Sequence, residues 1–201
     1  MQLALILSYP LCVHFGVVLG QPALQVLAIV LLGAGALLPG LRQGSALTWG
    51  AWAGLVLIAV ALGATDMTLY VLYLPPIALP LLLLVVFART LRPGQVPLVT
   101  AIGLQVHGWL PPDIVRYTRQ VTAFWALFLL ALSLSSAALA AFGGDAMWSV
   151  FSNCINYLLV AACFLAEYGY RRWRFRDFAQ PGLREYLGIV WRADVRGARH
   201  G

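Results

Sequence analysis

Lysine is absent from this chain of 201 residues, and all 13 basic residues are arginine. Acids are scarce as well: charged residues make up 10% of the sequence, against about 25% in an ordinary soluble domain. With 62% of residues hydrophobic, that shortage excludes a disordered chain and a soluble enzyme of usual make-up. Cys12, Cys154 and Cys163 show no CxxC or metal spacing, which excludes a disulfide scaffold and predicts buried, unpaired thiols. His14, His107 and His200 are too few for a histidine-rich iron site. HExxH, GxSxG, P-loop and paired-aspartate patterns are all missing. No catalytic residue, metal or cofactor is therefore expected from motifs, and nothing selects a nucleophilic serine. Arginine anchoring on one side of a membrane accounts for the net charge of +6, so no nucleic-acid partner is expected.

What the chain does have is long runs free of charge. A membrane-spanning helix needs about 20 mostly apolar residues. The runs predict spans at 3–20, 22–38, 46–64, 68–87, 120–141 and 147–169. Gly20-Gln21-Pro22 marks a turn with a helix restart, and Pro39-Gly40 closes the second span. Pro75, Pro76 and Pro80 leave two readings of the fourth span: a broken helix from residue 68, or a late start near Ile77. The run 93–112 is rich in proline and glycine. It reads as a short interfacial or re-entrant helix, with Leu98, Val99, Ile102, Val106 and Trp109 along one face. The first apolar run has no side-chain positive charge before it and no small-x-small site after it. It reads as a retained span rather than a cleaved signal.

The arginines agree with six spans. With a cytoplasmic N-terminus, Arg42, the group Arg89, Arg92, Arg116 and Arg119, and the eight arginines from Arg171 onward all fall inside. Asp66 and Asp145 fall outside. The expected fold is an all-α polytopic integral membrane protein: six transmembrane helices in three hairpins, a short interfacial helix and an amphipathic tail. Residues 1–170 form the membrane domain, with a cytoplasmic loop at 88–119, and residues 171–201 form a basic aromatic tail. In that tail Leu183, Tyr186, Leu187, Val190 and Trp191 make an apolar stripe suited to lying on anionic lipid.

Polar residues inside apolar helices cost free energy and call for a reason. His14, four residues after Pro10, reads either as a proton carrier or ligand donor, or as an interhelical hydrogen-bonding residue. Ser133, Ser135 and Ser136, and Gly33 and Gly35 with their alanine neighbours, read as small-residue packing. Asn153, Asn156, Val160, Cys163 and Glu167 follow offsets of 3 and 4, which place them on one helical face. That face reads as a polar crevice, or as a packing seam in which Glu167 pairs with Arg171. In the loop, Asp113 can cap the helix that becomes the fifth span, after Pro111 and Pro112. Arg116 and Arg119 can hold lipid phosphate or an acidic partner, or serve as plain anchors, and Asp113, Tyr117 and Arg171 are read with them as the cytoplasmic lipid- or partner-binding group.

The stretch from Pro111 to Trp125, with its Arg116-Tyr117-Thr118-Arg119 core, resembles a small bacterial inner-membrane protein family associated with aryl-polyene (xanthomonadin-type) pigment biosynthesis loci. The exit from the last span, Glu167-Tyr168 followed by Arg171, is similar to the same family. The ketosynthase-related label attached to that family is not matched here by a Cys-His-His condensing site. The resemblance implies an inner-membrane component that organises or handles acyl chains at the cytoplasmic leaflet. Its neighbours would be membrane lipids, an acyl carrier protein, acyltransferases and an exporter. Alternatives are a small lipid transporter or flippase subunit, and an intramembrane acyl-transfer enzyme.

Overall fold

The computed structural model describes residues 2–65 and 67–176, so the expected amphipathic tail stripe lies outside the described residues. Every regular element among them is helical: α1 (Gln2–Val18), α2 (Pro22–Arg42), α3 (Ala46–Ala64), α4 (Thr68–Leu72), α5 (Leu74–Thr90), α6 (Leu98–His107), α7 (Pro112–Phe142), α8 (Asp145–Val150) and α9 (Asn156–Arg174). A five-residue π-helical turn, Phe151–Ile155, joins α8 to α9. Five helical stretches are long and apolar enough to cross a membrane: Pro22–Arg42, Ala46–Ala64, Thr68–Thr90, Pro112–Phe142 and Asp145–Arg174. The described chain is thus of the multi-pass membrane type. α1, with 17 residues, is shorter than these.

Several boundaries differ from the sequence reading, each for a local reason. α2 runs through Pro39 to Arg42 instead of closing at 38. A proline removes one upstream backbone bond, while its own carbonyl still accepts, here from Gln43 N–H at 3.2 Å. The fourth apolar stretch starts at Thr68, breaks at Tyr73 and resumes at Leu74. Pro75 and Pro76 then sit in the first turn of α5, where backbone N–H groups have no helical partner anyway. α7 begins at Pro112, next to Asp113 where the sequence placed the start of the helix that becomes the fifth span, so most of the 88–119 segment is helix. α6 has 10 residues, about 15 Å at 1.5 Å per residue, too short to cross a hydrocarbon core of about 30 Å.

The described chain forms two compact units, Met1–Ile77 with Leu134–Ala161, and Ala78–Ser133 with Ala162–Gly201. In the first, α1 packs on α2, α2 on α3, and α1 on α8 and the π turn. Tyr9, Val13, Ala28, Leu72 and Trp148 are buried together. Tyr73 meets Trp148 edge to face, with ring centroids 4.5 Å apart. α2 and α3 approach at Gly33, where an added Cβ would run into the Leu55 side chain. At Gly40 an added Cβ would lie 2.5 Å from Thr48 Oγ1 and 3.1 Å from Thr48 Cβ.

In the second unit α6 is fastened to α7 by hydroxyls. Thr100 and Thr118 share a hydrogen bond of 2.7 Å, and Thr122 Oγ1 accepts from Val99 N–H at 3.3 Å. Leu98 and Thr100 are buried, whereas Val106 and Trp109 are exposed. Where the surroundings are apolar, hydroxyls gain most by turning inward to partners.

The close approach at Gly40 generates a prediction. Thr48 is short and β-branched, so it cannot swing clear as a leucine can. Gly40→Leu should destabilise the protein by roughly 1–3 kcal/mol, the usual range for overpacking. Gly50→Leu, where an added Cβ meets open space, should be close to neutral. Thermal unfolding in detergent measures both, and equal melting temperatures would refute this account of the hairpin.

Candidate functional site

The polar residues of the first unit converge around the π turn. A π turn is wider than an α turn and is found mostly as a single insertion, frequently at functional sites. Here it carries Ser152 and Asn153, both buried, and ends against Asn156, also buried. One turn ahead, Ser149 is fully buried in α8. From α1, His14 brings Nδ1 to 3.2 Å from Ser149 Oγ, across 135 residues of sequence. Asn153 Nδ2 donates to the Ser149 carbonyl at 3.2 Å and lies 3.5 Å from Ser149 Oγ. α7 contributes Ser136, whose Oγ accepts from Asn156 Nδ2 at 3.1 Å and from Ser152 Oγ at 3.5 Å. Asn156 Oδ1 is buried with no hydrogen-bond partner among the described residues.

The charged residues of the second unit form a separate group. Glu167 Oε1 accepts from Tyr117 Oη at 3.2 Å and lies 3.5 Å from Arg171 Nε. The pair is well covered, with the Glu167 side chain 9% exposed. A carboxylate so enclosed needs its cation and its hydroxyl donor, since removing one partner of a buried pair is costly. The Tyr117 ring lies against Tyr170 and Phe175 at centroid distances of 5.9 and 5.2 Å. Arg172 donates to Tyr168 Oη at 3.1 Å, and Arg174 lies over the Phe175 ring at 5.4 Å. Arg119 is exposed and donates to the Leu91 carbonyl at 3.2 Å, which ties the end of the α5 segment to α7. Asp113 and Arg116 are exposed in the first two turns of α7.

The expected polar face therefore divides between the two units. Asn153 and Asn156 join His14 in the first, while Glu167 pairs with Arg171 and Tyr117 in the second. Val160 is 38% exposed and belongs to neither group. Of the three serines read as packing residues, Ser136 is a hydrogen-bond acceptor, Ser133 is buried and Ser135 is exposed. Ser149 and Ser152 carried no signal in the sequence, because nothing there places α8 against α1. The three cysteines are unpaired and partly buried. Among the described residues no three His, Cys, Asp or Glu side chains are grouped to hold a metal ion. The chain matches no known protein family, no curated protein and no solved structure.

The Ser136–Asn156 bond can be measured directly. Interhelical hydrogen bonds inside membranes average about 0.6 kcal/mol and reach about 1.7. A double-mutant cycle with Ser136→Ala and Asn156→Leu should give a coupling energy in that range. Zero coupling in thermal or denaturant unfolding would mean that the two side chains do not act together.

Proposed function

We propose that this chain is an inner-membrane component of aryl-polyene-type lipid or pigment biosynthesis that organises or handles acyl chains at the cytoplasmic leaflet. The observation that carries this reading is the basic, aromatic end of the second unit. Arg116, Arg172, Arg174 and Arg176 are exposed there, and Tyr170 and Trp173 are 50% and 62% exposed. The Tyr117–Glu167–Arg171 group holds the α9 exit against α7, so these cations project from a fixed base. Such a surface suits anionic lipid and an acidic acyl carrier protein, with acyltransferases and an exporter as further partners. The sequence resemblance of the 111–125 and 167–171 stretches supports the biosynthetic setting. A second reading, a lipid transporter or flippase subunit, is favoured by one feature: the buried carboxamides Asn153 and Asn156 around a π turn.

The topology in this proposal has six spans, with α1 as the first, and both termini cytoplasmic. Arg42 ends α2, Arg89 lies in the last turn of α5, Arg116 and Arg119 open α7, and Arg171, Arg172 and Arg174 close α9. Six spans that alternate across a membrane would bring all of these arginines to one side and Asp145, at the start of α8, to the other. α1 spans about 26 Å at 1.5 Å per residue, close to the hydrocarbon thickness.

Two experiments bear on this reading. A reporter that fluoresces in the cytoplasm should work when fused after Gly201, and a periplasmic reporter should work when inserted beside Asp145. Periplasmic activity at Gly201 would refute the orientation. Replacing Arg116, Arg174 and Arg176 by Gln should weaken capture of an acyl carrier protein by about tenfold or more at low salt. The difference should vanish near 1 M salt, where the screening length falls to about 3 Å. Equal capture by both proteins at low salt would reduce these arginines to membrane anchors.

A further inference from the structure

The last turn of α5 and the turn that follows it gather arginine with no acid to meet it. Arg89 and Arg92 are exposed, and neither has a hydrogen bond or ion pair among the described residues. Arg119 comes to the same place from α7. Its Nη2 donates to the carbonyl of Leu91, which lies between those two arginines in the chain, at 3.2 Å. A guanidinium carries several N–H donors, and this bond uses one of them. Cations gathered at one helix end repel one another, and an anion removes that cost. The described carboxylates of this unit lie elsewhere: Asp113 precedes Arg119 by about 9 Å along α7, and Glu167 is held by Tyr117 and Arg171.

The helix that leads to this end is suited to hydrocarbon. No residue of α5 is buried. Leu81, Leu82 and Val85 precede Arg89 by eight, seven and four residues, which sets them on its face of the helix, and all three are exposed. The rise from Leu81 to Arg89 is about 12 Å at 1.5 Å per residue, against about 15 Å for half of a hydrocarbon core. An acyl chain lying along this face therefore brings its headgroup to the level of the arginines. The turn between α5 and α6 is fastened there, because Thr90 Oγ1 accepts from Leu98 N–H at 3.0 Å.

We propose that the end of α5 is a binding site for a phospholipid of net negative charge, built by residues other than those of the α9 exit. Its phosphate oxygens accept from Arg92 and Arg119, Arg89 adds a third positive charge, and one acyl chain lies along Leu81, Leu82 and Val85. Arginine suits this role because its planar fork matches two phosphate oxygens. A zwitterionic lipid brings the same phosphate together with an ammonium group, which these cations repel. The site rests on the proposed function only in setting the arginine-bearing helix ends at one leaflet. Its test uses neither a carrier protein nor a pigment, so the two fail separately.

Full-length protein purified in a non-ionic detergent would be mixed with equal amounts of phosphatidylglycerol and phosphatidylcholine bearing the same acyl chains. Native mass spectrometry counts the lipid bound. Phosphatidylglycerol should be preferred by about twentyfold or more, from two arginines at roughly fivefold each. Arg92→Gln and Arg119→Gln should each cut the preference by about fivefold. Arg92→Gln is the cleaner variant, because it breaks no bond within the described protein and should leave the melting temperature unchanged. Arg42→Gln removes an equal charge from the end of α2 in the first unit and should leave the preference as it is. Phosphatidylglycerol with a photoreactive diazirine in one acyl chain should cross-link mainly within α5. Equal binding of the two lipids, or an equal loss of preference in Arg42→Gln and Arg92→Gln, would overturn the site and leave these arginines as plain anchors. Cross-links spread evenly over the exposed helices would overturn it too, as would displacement of the lipid by an equal concentration of glycerol phosphate, which has the anion without the chains.

Discussion

The constraint on which this structure depends is that its apolar surroundings offer polar atoms no partners, so hydroxyls and carboxamides must find them inside. The buried polar residues include Thr100, Thr118, Thr122, Ser133, Ser136, Ser149, Ser152, Asn153 and Asn156, while Leu57, Leu82 and Leu158 are more than 60% exposed. A soluble bundle reverses that assignment, because there burying leucine is the main source of stability. Leucine gains nothing here by turning inward, and the seams are left to small and polar side chains. Two seams follow from this: Thr90, Thr100, Thr118 and Thr122 hold α6 on its neighbours in the second unit, and Ser136 with Asn156 joins α7 to α9 in the first.

The π turn at Phe151–Ile155 shows what such bonding demands of the backbone. An uninterrupted α-helix repeats every 3.6 residues and would place Asn153, Asn156 and Val160 on one face. The wider turn shifts the residues after it around the axis. Asn153 can then reach back to Ser149 while Asn156 reaches Ser136, and Val160 is released to the apolar surface. A lost hydrogen bond between buried groups costs about 1–3 kcal/mol, enough to offset local strain in one helical turn.

Patterns confined to one helix were legible in the sequence, and encounters between distant helices were not. The bounds of α3, the restart at Pro22, the packing role of Gly33 and the Glu167–Arg171 pair all follow from residues within a few positions of one another. The threonine seam of α6 carried no signal in the sequence, because Thr100 meets Thr118 only once α6 docks on α7. Pro39 misled because a proline usually ends a helix, but its own carbonyl still closes the next turn. Tyr117 was read with its arginine neighbours as a binding residue, while its hydroxyl is occupied by Glu167, 50 residues away. His14 was singled out, yet its partner Ser149 lies 135 residues on and resembles any other serine of the chain. Local spacing cannot find such a partner, because the signal is created by the docking of α1 on α8.

The two polar groups also differ in charge. The Ser149 group, which draws on α1, α7, α8 and the π turn, is built from hydroxyls, carboxamides and one imidazole. The carboxylate and guanidinium lie in the last two turns of α9, beside the arginines that end it. An isolated charge well inside an apolar helix is expensive, whereas near a helix end long side chains reach polar surroundings and cations meet the negative end of the helix dipole. At the α9 exit Arg172, Arg174 and Arg176 are exposed.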